Sequence, residues 1–207
     1  MPSRNIIKLY LPDTFYHVYN RGVEKRQIFL EDEDYNVFLN LFKRHLSRSA
    51  IKDFRGRTYQ NLSKAIELLA YCLMPNHFHL LFYQRDDKAM TDLMRRVSTA
   101  YSLYFNKKYS RVGGLFESVF KASDVDNERY LWHISRYIHI NPLDFGFSLD
   151  EYPFSSYGYY IGKKQADWIK PKRILELHKE YGESYREFVN DFADYRMTLD
   201  EVKLYLA

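Results

Sequence analysis

Leu73-Met74-Pro75-Asn76-His77-Phe78-His79-Leu80-Leu81-Phe82 decides how the rest of the chain is read. Pro75-Asn76 is a turn signal between two apolar runs, so Ile66–Leu73 and residues 77–83 form the arms of a β-hairpin. Successive side chains on a strand point to opposite faces: His77 and His79 share one face, and Phe78 and Leu80 enter the core behind them. Two imidazoles on a rigid face make a metal platform that needs a third ligand from elsewhere. Cys72 is a poor candidate, because a lone cysteine before a proline turn does not fit zinc spacing. In its apolar run it reads as a buried structural thiol.

Working outward, Thr14–Asn20 alternates bulky and polar residues and stops at Arg21-Gly22, a first strand with His17 and Tyr19 on one face. Glu31, Asp32, Glu33 and Asp34 precede the periodic run Tyr35, Phe38, Leu39, Leu41, Phe42 and Leu46, a helix with acids at its positive pole. Lys43 to Arg57 holds six basic residues and one acid, which suits a phosphate backbone or a solvated connector equally. Asp87–Lys107 is a second helix, with Met90, Leu93, Met94 and Val97 inward and Arg95-Arg96 on the other side. After the basic loop around Arg111, Leu115–Lys121 reads as a fourth strand.

The order β-α-β-β-α-β predicts an α+β, ferredoxin-like (RRM-like) fold, an antiparallel sheet with two helices on one face and the other face free. Asn127–Asn141, ending at Pro142, is the added helix expected to pack beside the histidines. The 207 residues are enough for one catalytic domain, 1–160, and a helical C-terminal extension, 161–207. No run approaches the ~20 apolar residues of a membrane span, and Met1–Asn5 begins no signal peptide, so the expectation is a cytoplasmic protein with no membrane partner.

Charge is uneven. Residues 1–125 carry 20 Lys and Arg against 13 Asp and Glu, whereas residues 126–207 carry 11 against 14. A basic half holding the histidine pair, in a chain with 20 tyrosines and 15 phenylalanines, suits a polyanion that offers rings to stack on. The acidic tail suits packing or a partner contact instead.

Tyr137 and Asn141 lie four apart on one helix face, with Tyr130 and His133 on the same stripe. An Asn141 amide oxygen and two imidazoles leave open positions on a divalent ion, which polarises a phosphoryl oxygen. Tyr137, one turn away, is placed to attack that phosphate. A phosphotyrosine conserves the energy of the cleaved link, so the reaction is reversible without ATP. Tyr130, His133 and His139 read as packing or outer support, His17 as structural or close to DNA, and Tyr101, Tyr104 and Phe105 as helix core.

His77-Phe78-His79 followed by Tyr137-Ile138-His139-Ile140-Asn141-Pro142 resembles the HUH single-tyrosine transposases, the insertion-sequence and REP-associated type. The likeness extends through Tyr16–Gly22, Ile28-Phe29, Gly114–Glu117 and Tyr152–Tyr157. It implies a Mg²⁺ or Mn²⁺ ion on His77, His79 and Asn141, with Tyr137 as nucleophile. It also implies cleavage of single-stranded or hairpin DNA to a 5′-phosphotyrosine and a free 3′-OH. Some members carry Gln at the Asn141 position, and many carry a basic residue where Val119 stands. Lys121 is then the local phosphate contact, with Arg21, Arg111, Arg95 and Arg96 as further DNA contacts. Such enzymes are homodimers sharing active sites or monomers building their own. A relaxase or replication-initiator nickase and a non-catalytic single-strand-binding module are the alternatives, and a binding module has no use for Tyr137 beside a metal pair.

Overall fold

The computed structural model describes residues 10–191 except 54, 126 and 180–183. Strands β1 (Thr14–Arg21), β2 (Ile66–Met74), β3 (His77–Gln84) and β4 (Lys121–Val125) form one sheet in the order β2-β3-β1-β4. Every neighbouring pair is antiparallel. β1 and β2 therefore run the same way on either side of β3, and β3 and β4 do so around β1. That is the split β-α-β arrangement expected from the element order.

Helices α1 (Asp32–Leu46) and α2 (Ala89–Lys108) cover one face of the sheet. Phe38 and Phe42 of α1 meet Phe78 and Phe82 of β3 at ring separations of 5.2 and 6.2 Å. All four are fully buried, and burying a side chain of this size is worth about 1.5–3 kcal/mol. α3 (Glu128–Ile140) lies on the opposite face, held by buried Leu131, Ile134 and Ile138. None of the described helices is long and apolar enough to cross a membrane.

The acidic start of α1 does more than oppose the helix dipole. Asp34 is buried, and its carboxylate accepts the N–H groups of Leu30 and Glu31 at 2.8 and 3.3 Å. It also accepts the hydroxyls of Tyr104 and Tyr109, at 2.9 and 2.8 Å, and Lys108 Nζ at 3.0 Å. One carboxylate thus ties the first turn of α1 to the last turns of α2. Tyr101 is core, as its spacing predicts.

The fourth strand differs from expectation. Leu115–Phe120 contributes only a single bridge, Gly22 with Phe116, and the ladder belongs to Lys121–Val125. Asn20 Nδ2 donates to the Ser118 carbonyl at 2.9 Å, so a side chain occupies the place of a backbone partner and interrupts the pairing. Pairing resumes at Lys121 opposite Tyr19.

The free edge of β2 is covered by later chain, which blocks a template for unwanted pairing. Leu73 N–H donates to Phe154 O, Ser156 N–H to Tyr71 O and Lys170 N–H to Leu68 O. The Ser156 hydroxyl also accepts Tyr71 N–H at 2.8 Å and lies 2.6 Å from His139 Nε2, lacing that edge to α3. After the short α4 (Tyr157–Tyr160), α5 (Lys172–Lys179) and α6 (Tyr185–Asn190) pack on α3. Phe188 stacks on Trp132 at 3.9 Å, under the Arg136 guanidinium. The expected extension beyond Asp191 lies outside the described residues.

Candidate active site

The hairpin turn sets the histidines. Met74 pairs with His77 across Pro75-Asn76, and Pro75 O accepts the N–H groups of Ile28 and Phe29. Gly22 N–H donates to Asn76 O at 2.9 Å. A Cβ on Gly22 would lie 2.2 Å from Arg26 O, so only glycine lets the loop after β1 close against this turn. The register pairs Arg21 with His77 and Tyr19 with both His79 and Lys121. Those side chains therefore rise from one face.

His77, His79, Arg21 and Lys121 border a cleft of about 410 Å³ with Tyr19, Asn20, Lys25, Asn76, Phe78, Glu117 and Phe145. Arg21 Nε pairs with Glu117 Oε1 at 2.5 Å, and Lys121 Nζ sits 5.8 Å from the Tyr19 ring centre. The Tyr137 ring stands edge-on to His79, 5.3 Å between centres, and 6.2 Å from His17. α3 ends where Pro142 enters a 3-10 turn beginning at Asn141. There Asn141 Nδ2 donates to the Tyr137 carbonyl at 2.7 Å, and the same side chain lies close enough to the His77 ring to raise its pKa.

Burial holds these imidazoles neutral. His79 is pulled well below the usual histidine value by burial and by its neighbours His17 and His77. Burial likewise lowers His77, against the opposing bond from Asn141. His17 is brought down to about 3 by burial. Neutral imidazole is the form that binds a cation. Each of the pair spends Nδ1 on a neighbour, His77 on Asn76 Oδ1 at 2.7 Å and His79 on His17 Nε2 at 2.9 Å. In each ring the partner of Nδ1 fixes the orientation and leaves Nε2 pointing away from that partner.

Among the described residues no group of three or more His, Cys, Asp and Glu is placed to hold a metal. A cation here would need a third donor, and the Asn141 side chain lies beside His77. Neutral imidazoles are common ligands of divalent cations and a carboxamide oxygen suits Mg²⁺ or Mn²⁺, so the donor set can hold a divalent ion. Cys72 is buried and free, and burial pushes its thiol up.

Arg95 and Arg96 sit on α2, across the sheet from the cleft. Arg95 pairs with Asp92 and Arg96 with Gln60 Oε1. Arg111 lies in the loop after α2, bonded to Asn106 Oδ1 at 2.9 Å, and does not line the cleft. His139 bonds Tyr185 and Ser156 on the core side of α3. Sequence reasoning missed Lys25, Asn76 and Phe145. Lys25 arrives through two successive left-handed residues, Glu24 and Lys25 at φ 56° and 59°, which nothing in their side chains announces.

The sequence profile described as "Transposase IS200 like" matches residues 14–141. No curated protein matches the chain. Among solved structures, a REP-associated tyrosine transposase bound to a REP hairpin aligns with 81% of this chain and 92% of its own. The TM-score is 0.57 at 15% identity, a shared fold. A protein assigned as a transposase in Deinococcus radiodurans R1 aligns with 67% of this chain and 95% of its own. Its TM-score is 0.39 at 15% identity, and nothing below rests on it. The profile match runs from the first strand through the Tyr137 helix to Asn141, more than half of the chain, and on it this chain belongs to the IS200-like transposases, enzymes that cut and rejoin DNA.

Proposed function

We propose that the chain is a metal-dependent single-strand DNA endonuclease and strand transferase working through a 5′-phosphotyrosine on Tyr137. In this reading His77, His79 and Asn141 hold a Mg²⁺ or Mn²⁺ ion. One observation carries it: the Tyr137 ring stands edge-on to His79, and the Asn141 amide, which donates to the Tyr137 carbonyl, lies beside the His77 ring. Nucleophile and donors are thereby fixed relative to one another.

The Tyr137 phenol gives up its proton and its oxygen attacks the phosphorus. The bond from phosphorus to the 3′-oxygen breaks, and the departing oxygen takes a proton to become a free 3′-OH. The downstream strand stays on Tyr137 through its 5′-phosphate until another 3′-OH attacks and restores the phenol. A bound divalent ion supplies Lewis-acid polarisation of the phosphoryl oxygen. Arg21, Lys25 and Lys121 at the cleft meet backbone phosphates, while Tyr19 and Phe145 offer faces for unpaired bases. The REP hairpin on the structural relative supports single-stranded or hairpin DNA as the substrate.

Tyr137 stands beside the histidines of its own chain, which supports cleavage in cis and gives a homodimer no catalytic task. Residues 1–160 are the catalytic part in this reading, and the extension from 161 braces α3 from behind. The test is incubation with labelled hairpin DNA in Mn²⁺, followed by denaturing electrophoresis. A protein–DNA adduct lost with EDTA and in Tyr137→Phe supports the reading. Retarded mobility under native conditions without any adduct would overturn it.

A further inference from the structure

One side chain on the same face of the sheet has no part in that reading. His17, in the middle of β1, is fully buried, and its Nε2 lies 2.9 Å from His79 Nδ1 with the two rings nearly parallel. Its other nitrogen, Nδ1, has no hydrogen-bond partner among the described residues. The contrast with His139 is informative. That ring is equally buried and satisfies both nitrogens, Nδ1 with Tyr185 Oη at 2.7 Å and Nε2 with Ser156 Oγ at 2.6 Å. His139 is what a packing histidine looks like here. At position 17 a phenylalanine would fill similar space without burying an unsatisfied nitrogen, so packing alone does not account for the imidazole.

The bond to His79 does account for it. One proton is shared between His17 Nε2 and His79 Nδ1, and its location decides which nitrogen of His79 carries a lone pair. If His17 donates, a neutral His79 must carry its proton on Nε2 and has no lone pair to offer there. If His79 Nδ1–H donates, Nε2 is bare and the ring is locked in the tautomer a cation needs. We propose that His17 is a positioning residue whose Nε2 accepts the Nδ1–H of His79, keeping His79 Nε2 bare and aimed for the divalent ion. Its own proton then resides on the unpartnered Nδ1. This inference rests on the metal site proposed above.

The test has two arms. In ¹⁵N-labelled protein with a bound diamagnetic Mg²⁺ ion, long-range ¹H–¹⁵N ring spectra should show His79 protonated at Nδ1 and His17 at Nδ1. In Mn²⁺ titrations followed by electron paramagnetic resonance, His17→Phe should weaken binding about 10–100-fold, the range for loss of a ligand's supporting partner. His17→Gln, whose amide oxygen can accept the same N–H, should recover much of the loss. His77→Ala serves as the control for the site itself. Wild-type affinity in His17→Phe, or a His79 ring protonated at Nε2, overturns the role of His17 while the metal site stands. Wild-type protein that binds no Mn²⁺ overturns both.

Discussion

Removing the buried Asp34 carboxylate should strongly destabilise the packing of α1 on α2. Asp34→Ala strands two backbone N–H groups, those of Leu30 and Glu31, and two hydroxyls, those of Tyr104 and Tyr109. A buried donor left unpaired costs about 1–3 kcal/mol, and water entering the vacated space relieves part of it, so roughly 3–5 kcal/mol is expected. For a chain of this size that lowers the melting temperature by roughly 10 °C. Asp34→Asn keeps one acceptor oxygen and should lose about 1–2 kcal/mol. Burial raises the Asp34 carboxyl, but the bonds from Leu30, Tyr109, Lys108 and Tyr104 outweigh it and the net shift is downward. A group lowered on folding stabilises above its unfolded pKa and loses that contribution as pH falls through the folded one. The gap between wild type and Asp34→Asn should therefore be full at pH 7 and close below about pH 4. Urea melts from pH 7 to pH 3 measure both. A loss under 0.5 kcal/mol for Asp34→Ala, or a gap unchanged at low pH, would refute this account of the hub.

Other outcomes follow from the same contacts. Tyr185→Phe removes a buried hydroxyl bonded to Ser135 Oγ and His139 Nδ1, and should cost about 1–3 kcal/mol in denaturant melts. Lys25→Ala and Lys121→Ala should each weaken single-strand binding and reduce the salt slope by about 0.7, whereas Arg95→Ala and Arg96→Ala should leave the slope unchanged in filter-binding titrations. Mixing Tyr137→Phe with His77→Ala should restore no cleavage, because nucleophile and histidines sit together in one chain. Recovery of activity in the mixture would establish a site shared between two chains.

Much of this was legible in the sequence, for reasons specific to each element. Strong alternation and the Pro75-Asn76 turn gave away β1 and the β2–β3 hairpin, and helical periodicity ending at Pro142 gave away α3. β4 was legible only as a mistaken neighbour. Leu115–Phe120 carries the apolar signal but is interrupted by the Asn20 side chain, while Lys121–Val125 is a polar edge strand whose pairing needs no apolar pattern. The position of Arg95 and Arg96 across the sheet follows from the topology itself, since α1 and α2 share the face away from α3. The contact of His17 with His79 depends on register, because the two are diagonal neighbours across β1 and β3. Register emerges only when strands pair, so local sequence could place His17 on the right face without naming its partner.

The central claim is that Tyr137 takes the 5′ side of a cut strand. The most direct measurement cleaves one hairpin oligonucleotide labelled separately at its 5′ and 3′ ends, with Mn²⁺ present, and then maps the DNA-bearing peptide by mass spectrometry. The account predicts that the 3′ label travels with the protein, the 5′ label leaves on a fragment ending in 3′-OH, and the modified peptide contains Tyr137. A 5′ label retained on the protein, or a modified residue other than Tyr137, would contradict it.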